Sequence, residues 1–225
     1  MLLTWGSSQG LNTYTNYVSS LSPAAWFKYG AGITVAGSGV SVWADQSGNG
    51  RDLLQGTDTN RPALQADSSI LFDGVDNFLK CGAFTLNQPE TVYILFRSVT
   101  WTLNDVVYDG NTAGSMYLYQ SATTPDLRVF AGSALVPNSN LAVNTYGVHC
   151  GVYNGVSSVS QINNTTAITG NAGAANAGGF TLGADGGLVS GFSNIQVKEV
   201  IIYPTAHDAT TRANVIRYLS AIGGV

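Results

Sequence analysis

VSVWADQSGNGRDLLQGTDTNRPALQADSSILFDGVDNFL, residues 40–79, is the stretch that decides the fold. Its first part alternates apolar and polar residues up to Trp43 and then breaks into a polar turn, which predicts a strand with one buried face. Its last part places two short apolar runs around Asp73-Gly74. Asp-Gly between apolar runs favours a β-hairpin, because Gly adopts positive φ at no steric cost. The stretch therefore indicates an antiparallel β protein.

This stretch also resembles the concanavalin A-like lectin/glucanase family, in its laminin-G-like form. Sequences of that family often run Trp, x, Asp, x, Ser-Gly-Asn-Gly, then Arg-Pro, then Phe-Asp-Gly-x-Asp-x-Leu. The residues that match are Trp43, Asp45, Ser47 to Gly50, Arg61-Pro62 and Phe72 to Leu79, with further likeness at Leu21 to Trp26 and at Val197 to Val225. The resemblance implies a jelly-roll sandwich, a fold that serves lectins, lyases, hydrolases, adhesion modules and virion proteins alike.

The rest of the chain agrees with that architecture, because short apolar segments alternate with Gly- and Asn-rich turns. We predict an all-β, concanavalin A-like jelly-roll sandwich of two antiparallel sheets over residues 21–225. A short C-terminal helix is expected after Asp208, a good N-cap residue, ending at Gly223-Gly224. Residues 1–20 carry no charged side chain and no clear period, so they are predicted to form an extended N-terminal arm, with Trp5, Tyr14 and Tyr17 as its docking residues.

Composition excludes several classes of function. Charged residues make up 10% of the 225 residues, the formal net charge is −4, and no basic patch argues for nucleic acid. The first 20 residues lack a basic segment followed by an apolar one, so no signal peptide is expected, and no apolar run predicts membrane insertion. Cys81 and Cys150 are expected to be inert core thiols.

Catalytic chemistry has weak support in the sequence. Glycosidases of this fold use paired carboxylates on one strand face. The two glutamates, Glu90 and Glu199, have no carboxylate partner two or four positions away. His149 lies in an apolar strand and is expected to be structural, whereas His207 is expected to be solvated. The prediction is therefore that the protein has no catalytic residues and is not an enzyme.

Two kinds of binding site remain open. Asp105, Asp109 and Asn111 form an oxygen-rich cluster of the kind that holds Ca²⁺, which makes calcium the candidate cofactor. The alternative is that these residues cap backbone groups, as Asx residues in turns more often do. Two similar clusters fall in residues 45–52 and 73–77. Aromatic rings stack on sugar faces but also fill sandwich cores. The candidate glycan-binding residues are Trp101, Tyr108, Tyr117, Tyr119 and Tyr153.

The leading functional hypothesis is a non-catalytic virion structural protein, a phage head decoration or fibre-type surface protein. It follows from the family resemblance together with the absent signal, the low charge and the aromatic arm. Its partners would be capsid or tail proteins and copies of itself, and it would be made in the host cytoplasm and placed on the virion surface. The alternatives are a lectin module that binds cell-surface glycan for host attachment, with or without calcium, and, with less support, a polysaccharide-cleaving enzyme.

Overall fold

The computed structural model describes residues 8–136 and 138–225, with backbone alone for residues 8–12. Two 3-10 turns, Asp58–Asn60 and Gly155–Ser157, interrupt the strand-rich chain. In chain order the helices and strands are α1 (Ser8–Ser20), β1 (Ala25–Phe27), β2 (Ile33–Ala36), β3 (Gly39–Trp43), β4 (Leu53–Leu54), β5 (Ala63–Leu64), β6 (Ile70–Leu71), β7 (Leu79–Lys80), β8 (Glu90–Ser98), β9 (Val106–Asp109), β10 (Tyr117–Gln120), β11 (Leu127–Phe130), β12 (Gly147–Tyr153), β13 (Ser158–Ile162), β14 (Ile168–Gly170), β15 (Thr181–Leu182), β16 (Ile195–Tyr203) and α2 (Ala209–Gly223).

Two antiparallel sheets form the sandwich, which confirms the predicted fold class. The first, here the helix-covered sheet, has the order β14-β13-β12-β8-β16-β6-β5, with β1 also paired to β16. The second, here the open sheet, has the order β11-β10-β9-β15-β7-β4-β3-β2. Strands distant in sequence lie side by side in both sheets, as in a jelly roll.

The stretch that indicates the fold supplies the centre of the core between the sheets. Trp43 and Phe72 are fully buried there, and the Phe27 ring lies 5.8 Å from Trp43. Gly183 lies against Phe72, and a Cβ at this position would come within 2.3 Å of Cδ1 of that ring. Gly183 also has a φ of +87°, so glycine is required here by both the positive φ and the close contact with Phe72.

The Asp73-Gly74 turn is present, but the predicted hairpin is wrong. The strand before it, β6, belongs to the helix-covered sheet, and the strand after it, β7, belongs to the open sheet. The Asp73 carboxylate accepts hydrogen bonds from the backbone N–H groups of the three residues that follow Gly74, at 2.9 to 3.4 Å. The turn therefore carries the chain from one sheet to the other instead of folding it back on itself.

Both helices pack on the outer face of the helix-covered sheet. The end of the N-terminal segment is a helix, not the extended arm that the sequence suggested. Tyr14 and Val18 lie one helical turn apart and are buried in a second apolar cluster with Val215 and Leu219 of α2. Because the segment has modest helix propensity, this packing is what stabilises the helix. Tyr17 is partly buried against the same cluster. Trp5, the other predicted docking residue, lies outside the described residues.

The C-terminal helix is confirmed at both ends. The Asp208 side chain accepts a hydrogen bond from the Thr211 N–H, and Gly224 adopts the left-handed conformation that ends the helix. His207, just before the helix, was expected to be solvated but is buried. Its Nδ1 lies 2.8 Å from the Tyr93 hydroxyl. In the part of the chain that is described, no helix is long and apolar enough to cross a membrane.

Two glutamates are buried in the helix-covered sheet. Both carboxyl oxygens of Glu90 are buried without a hydrogen-bond partner, and burial raises its pKa to about 8. Glu199 is also buried, which raises its pKa to about 7, although Trp26 Nε1 and the Tyr29 N–H donate to it at 2.7 and 3.1 Å. Neither glutamate reaches the outer face of the open sheet, so neither contributes to a surface site.

Replacing Glu90 by Gln is expected to stabilise the protein at alkaline pH. Because the folded-state pKa lies above the ordinary value of 4.5, the folded state holds this proton more tightly, and stability is lost as the pH rises towards about 8. Over the whole titration the loss is on the order of 5 kcal/mol. Denaturant unfolding between pH 5 and 9 should show a flatter pH dependence for Glu90→Gln, with the residual slope due to Glu199 and Asp105. An unchanged slope would contradict the burial of an ionisable Glu90, and Asp76→Asn on an exposed turn is the control.

Candidate glycan-binding site

A cleft of about 220 Å³ opens on the outer face of the open sheet. It lies between two loops, residues 110–116 between β9 and β10, and residues 183–194 between β15 and β16. Because both helices cover the other sheet, this face is open to solvent. The residues that line the cleft are Asn104, Val106, Asp109, Ala113, Gly114, Tyr117, Tyr119, Asp185, Ser190 and Gly191.

Tyr117 and Tyr119 form one wall of the cleft. They lie two residues apart on β10, so both side chains project from the same face of the sheet. Their ring centroids are 4.7 Å apart, and the Phe130 ring lies 4.8 Å from Tyr117 on the neighbouring strand. All three side chains are half-buried, so they present a row of aromatic rings to solvent.

The Asp109 carboxylate holds the two loops together. It is fully buried, and Oδ1 accepts hydrogen bonds from the N–H groups of Gly110 and Met116 at 2.7 and 3.1 Å. Oδ2 accepts from Gly114 at 2.7 Å and from Gly186 in the other loop at 3.0 Å. Hydrogen bonds to an ionised acceptor are the strong ones, so this single side chain fixes the shape of the cleft.

Lys80 supports the same junction from the adjacent strands. Its Nζ donates to the Asn111 carbonyl at 2.8 Å and to the Gly186 carbonyl at 2.7 Å. The two backbones touch here, since a Cβ on Gly186 would lie 2.6 Å from the Thr112 carbonyl carbon. The junction between the two loops is therefore built from closely packed main chain.

A second carboxyl group lines the cleft, and a third follows a cleft residue in the chain. Asp185 lines it and is 8% exposed, and the Ser190 hydroxyl donates to its Oδ2. Asp105 follows the cleft residue Asn104, and partial burial raises its pKa to about 6. A carboxyl group with such a pKa is partly protonated near neutral pH, which is the property that an acid catalyst requires.

The structure separates the five aromatic residues that the sequence proposed for glycan binding. Tyr117 and Tyr119 lie at the cleft. Tyr108 and Tyr153 are fully buried in the core, where the Tyr153 hydroxyl donates to that of Tyr108 at 3.1 Å. Trp101 is 8% exposed and belongs to the same core. A buried ring offers no face to a sugar, so the candidate platform reduces to the two tyrosines on β10.

The residues proposed as calcium ligands are not assembled into a metal site. The Asp109 oxygens face backbone N–H groups, and the Asn111 carbonyl accepts from the Lys80 ammonium. Across residues 8–136 and 138–225 no three His, Cys, Asp or Glu side chains form a group that could hold a metal ion. The other two oxygen-rich clusters cap turns through Asp45 and Asp73, as the turn interpretation expected.

Several residues at the site were not proposed from the sequence. Asp185, Ser190 and Gly191 belong to the loop between β15 and β16, for which no site residue was proposed from the sequence. Phe130 and Arg128 alternate along LRVF on β11, and this alternation was the signal that could have placed both on the face that carries Tyr117.

No family model matches the chain, and no curated protein matches it. Solved structures do. The Trypanosoma rangeli sialidase in complex with sialic acid is similar with a TM-score of 0.62 and 12% identity, and the match covers 96% of this chain. A GH54 α-L-arabinofuranosidase soaked with a cyclic sulfate inhibitor gives a TM-score of 0.60 and 14% identity over 82% of this chain. The match spans 39% of the sialidase and 51% of the arabinofuranosidase.

These comparisons bear on both the fold and the function. They support the concanavalin A-like sandwich, and at such low identity the likeness establishes the fold alone. The prediction of a non-catalytic virion structural protein is corrected by them, and so is the prediction that the chain is not an enzyme. The similar structures are glycosidases, among them an arabinofuranosidase complexed with arabinofuranosyl-α-1,2-xylobiose. They give no support to a role in a virion.

Replacing Asp109 by Ala is expected to destabilise the protein and open the cleft. The substitution leaves buried N–H groups of both loops without an acceptor, which costs about 3 kcal/mol in free energy of unfolding. Denaturant unfolding measures this loss. Asp126→Ala is the matched control, because that carboxylate accepts from one hydroxyl at the edge of the sheet. A loss for Asp109→Ala no larger than for the control would contradict the role given to Asp109.

Proposed function

We propose that this protein acts in carbohydrate processing and that it binds glycan in the cleft between loops 110–116 and 183–194. The observation that carries the proposal is the pair of half-buried rings, Tyr117 and Tyr119, beside the Asp185 carboxylate in one cleft on the open sheet. Rings supply apolar faces for the C–H groups of a sugar, and carboxylates accept hydrogen bonds from its hydroxyls.

The electrostatics of the cleft agree with a polyhydroxylated ligand. The Asp109 oxygens are occupied by backbone donors, so Asp109 shapes the cleft. The other polar side chains that line it are Asn104, Asp185 and Ser190, beside the two tyrosines. A few oriented polar groups beside an aromatic surface are typical of small-molecule sites. Sugar-bound or inhibitor-bound glycosidases of the same fold, named above, support carbohydrate as the ligand class.

Replacing Tyr119 by Ala is expected to weaken glycan binding by about tenfold or more, because truncating a central aromatic contact removes much of the binding energy. A glycan array with the wild-type protein selects the ligand, and calorimetric titration of that ligand measures the change. Tyr29→Ala, which removes a tyrosine from elsewhere on the molecule, is the control and should leave the affinity unchanged. A silent array, or equal losses for both variants, would refute binding at this cleft.

Hydrolysis of a glycosidic bond is the second candidate function. Glycosidases use one protonated and one ionised carboxyl group. Asp105, whose pKa burial raises to about 6, suits the acid, and Asp185 in the cleft suits the second carboxylate. The glycosidase structures that share the fold favour this function over a purely structural role.

Hydrolysis predicts that Asp105→Asn abolishes turnover while glycan binding persists. Wild-type activity should fall as the pH rises through about 6, because the acid must hold its proton. The assay is fluorophore release from aryl sialoside and aryl arabinofuranoside substrates, with Asp126→Asn as control. No release by pure wild-type protein, or release that Asp105→Asn leaves intact, would exclude this mechanism.

Other expectations from the sequence concern the setting of the protein. It stays a prediction that the partners are capsid or tail proteins and copies of the protein itself. The location on a virion surface also stays a prediction. A cell-surface glycan as ligand is compatible with the cleft proposed here.

A further inference from the structure

Arg128 lies beside the aromatic row, outside the cleft lining. On β11 it is the direct cross-strand partner of Tyr119, as Phe130 is of Tyr117, so these four side chains share the outer face of the open sheet. Directly opposed side chains in an antiparallel pair are near neighbours. A saccharide lying over the two tyrosines would therefore pass next to the guanidinium group.

Arg128 also lacks the partners that a half-buried arginine normally has. Its Nε is buried without a hydrogen-bond partner, and it makes no salt bridge with any described residue. A buried donor left unpaired is costly, and native proteins usually pair such groups. By contrast, Arg61 ion-pairs with Asp58, and Arg97 donates to Gln196 from two of its nitrogens.

The site therefore has two chemically different halves. On the cleft side of the tyrosines lies the Asp185 carboxylate, which suits sugar hydroxyls. On the β11 side lies the Arg128 guanidinium, which has no salt-bridge partner among the described residues. Arginine is the side chain best matched to carboxylate and sulfate groups, because its planar fork donates two parallel hydrogen bonds.

We propose that the site takes an acidic saccharide and that Arg128 binds its carboxylate or sulfate group while the sugar ring lies on Tyr117 and Tyr119. This inference rests on the proposed glycan binding at the same cleft and deepens it by naming the ligand class. The row of rings extends through Phe130, with successive centroids 4.7 and 4.8 Å apart. This length favours an oligosaccharide over a single sugar.

The test compares ligands that differ in charge. The probes are 3′-sialyllactose against lactose, oligogalacturonate against its methyl ester, and dextran sulfate against dextran, each titrated by calorimetry. In at least one pair the wild-type protein should bind the acidic member tenfold or more tightly than the neutral one. Arg128→Gln should abolish that preference and leave neutral binding within about twofold, and Arg128→Lys should keep part of it. Arg97→Gln, on the other sheet, is the matched control and should keep all of it.

The outcomes separate the two proposals. Equal binding of acidic and neutral members by the wild-type protein overturns the role of Arg128 and leaves glycan binding standing. A preference that persists in Arg128→Gln, with the variant folded by circular dichroism, overturns the role as well. If neither member of any pair binds and a glycan array is silent, glycan binding at the cleft is itself refuted.

Discussion

One buried carboxylate organises the surface on which this account depends. Asp109 ends β9, where its carboxylate accepts hydrogen bonds from N–H groups of its own loop and from Gly186 in the loop after β15, 77 residues later in the chain. Lys80 donates hydrogen bonds to carbonyls of the same two loops. Together, Asp109 and Lys80 hold the irregular backbone of these loops in one arrangement around the cleft. The aromatic rings of β10 then have a fixed frame beside them, which is what a preorganised binding site needs.

The sandwich explains why this cleft lies where it does. Helices α1 and α2 bury one face of the helix-covered sheet, and the two sheets bury each other's inner faces, so the outer face of the open sheet is left to solvent. Glu90 and Glu199, the obvious carboxylates in the sequence, are buried in the covered sheet. The site proposed here therefore draws on aspartates, tyrosines and an arginine of the open sheet.

The sequence predicts the fold better than it predicts the site. Trp43, Phe72 and the Asp208 cap carry local signals that the structure confirms. The helix at residues 8–20 escaped prediction because its Ser, Thr and Asn residues favour helix weakly and packing of Tyr14 and Val18 stabilises it. The cleft depends on a non-local pairing, β9 with β15, that brings Asp109 to Gly186. Of the residues that indicated calcium, Asp109 instead accepts from backbone N–H groups, and the Asn111 carbonyl accepts from Lys80.

The most direct test of the central claim is an amide NMR titration of isotope-labelled protein with the strongest ligand from a glycan array. The account predicts that the largest shifts fall on loops 110–116 and 183–194 and on β10 and β11, and that the helix-covered sheet is unperturbed. Shifts concentrated on the helix-covered sheet, or around the turn at residues 45–52, would contradict it, because the ligand would then bind away from the cleft that Asp109 holds in place.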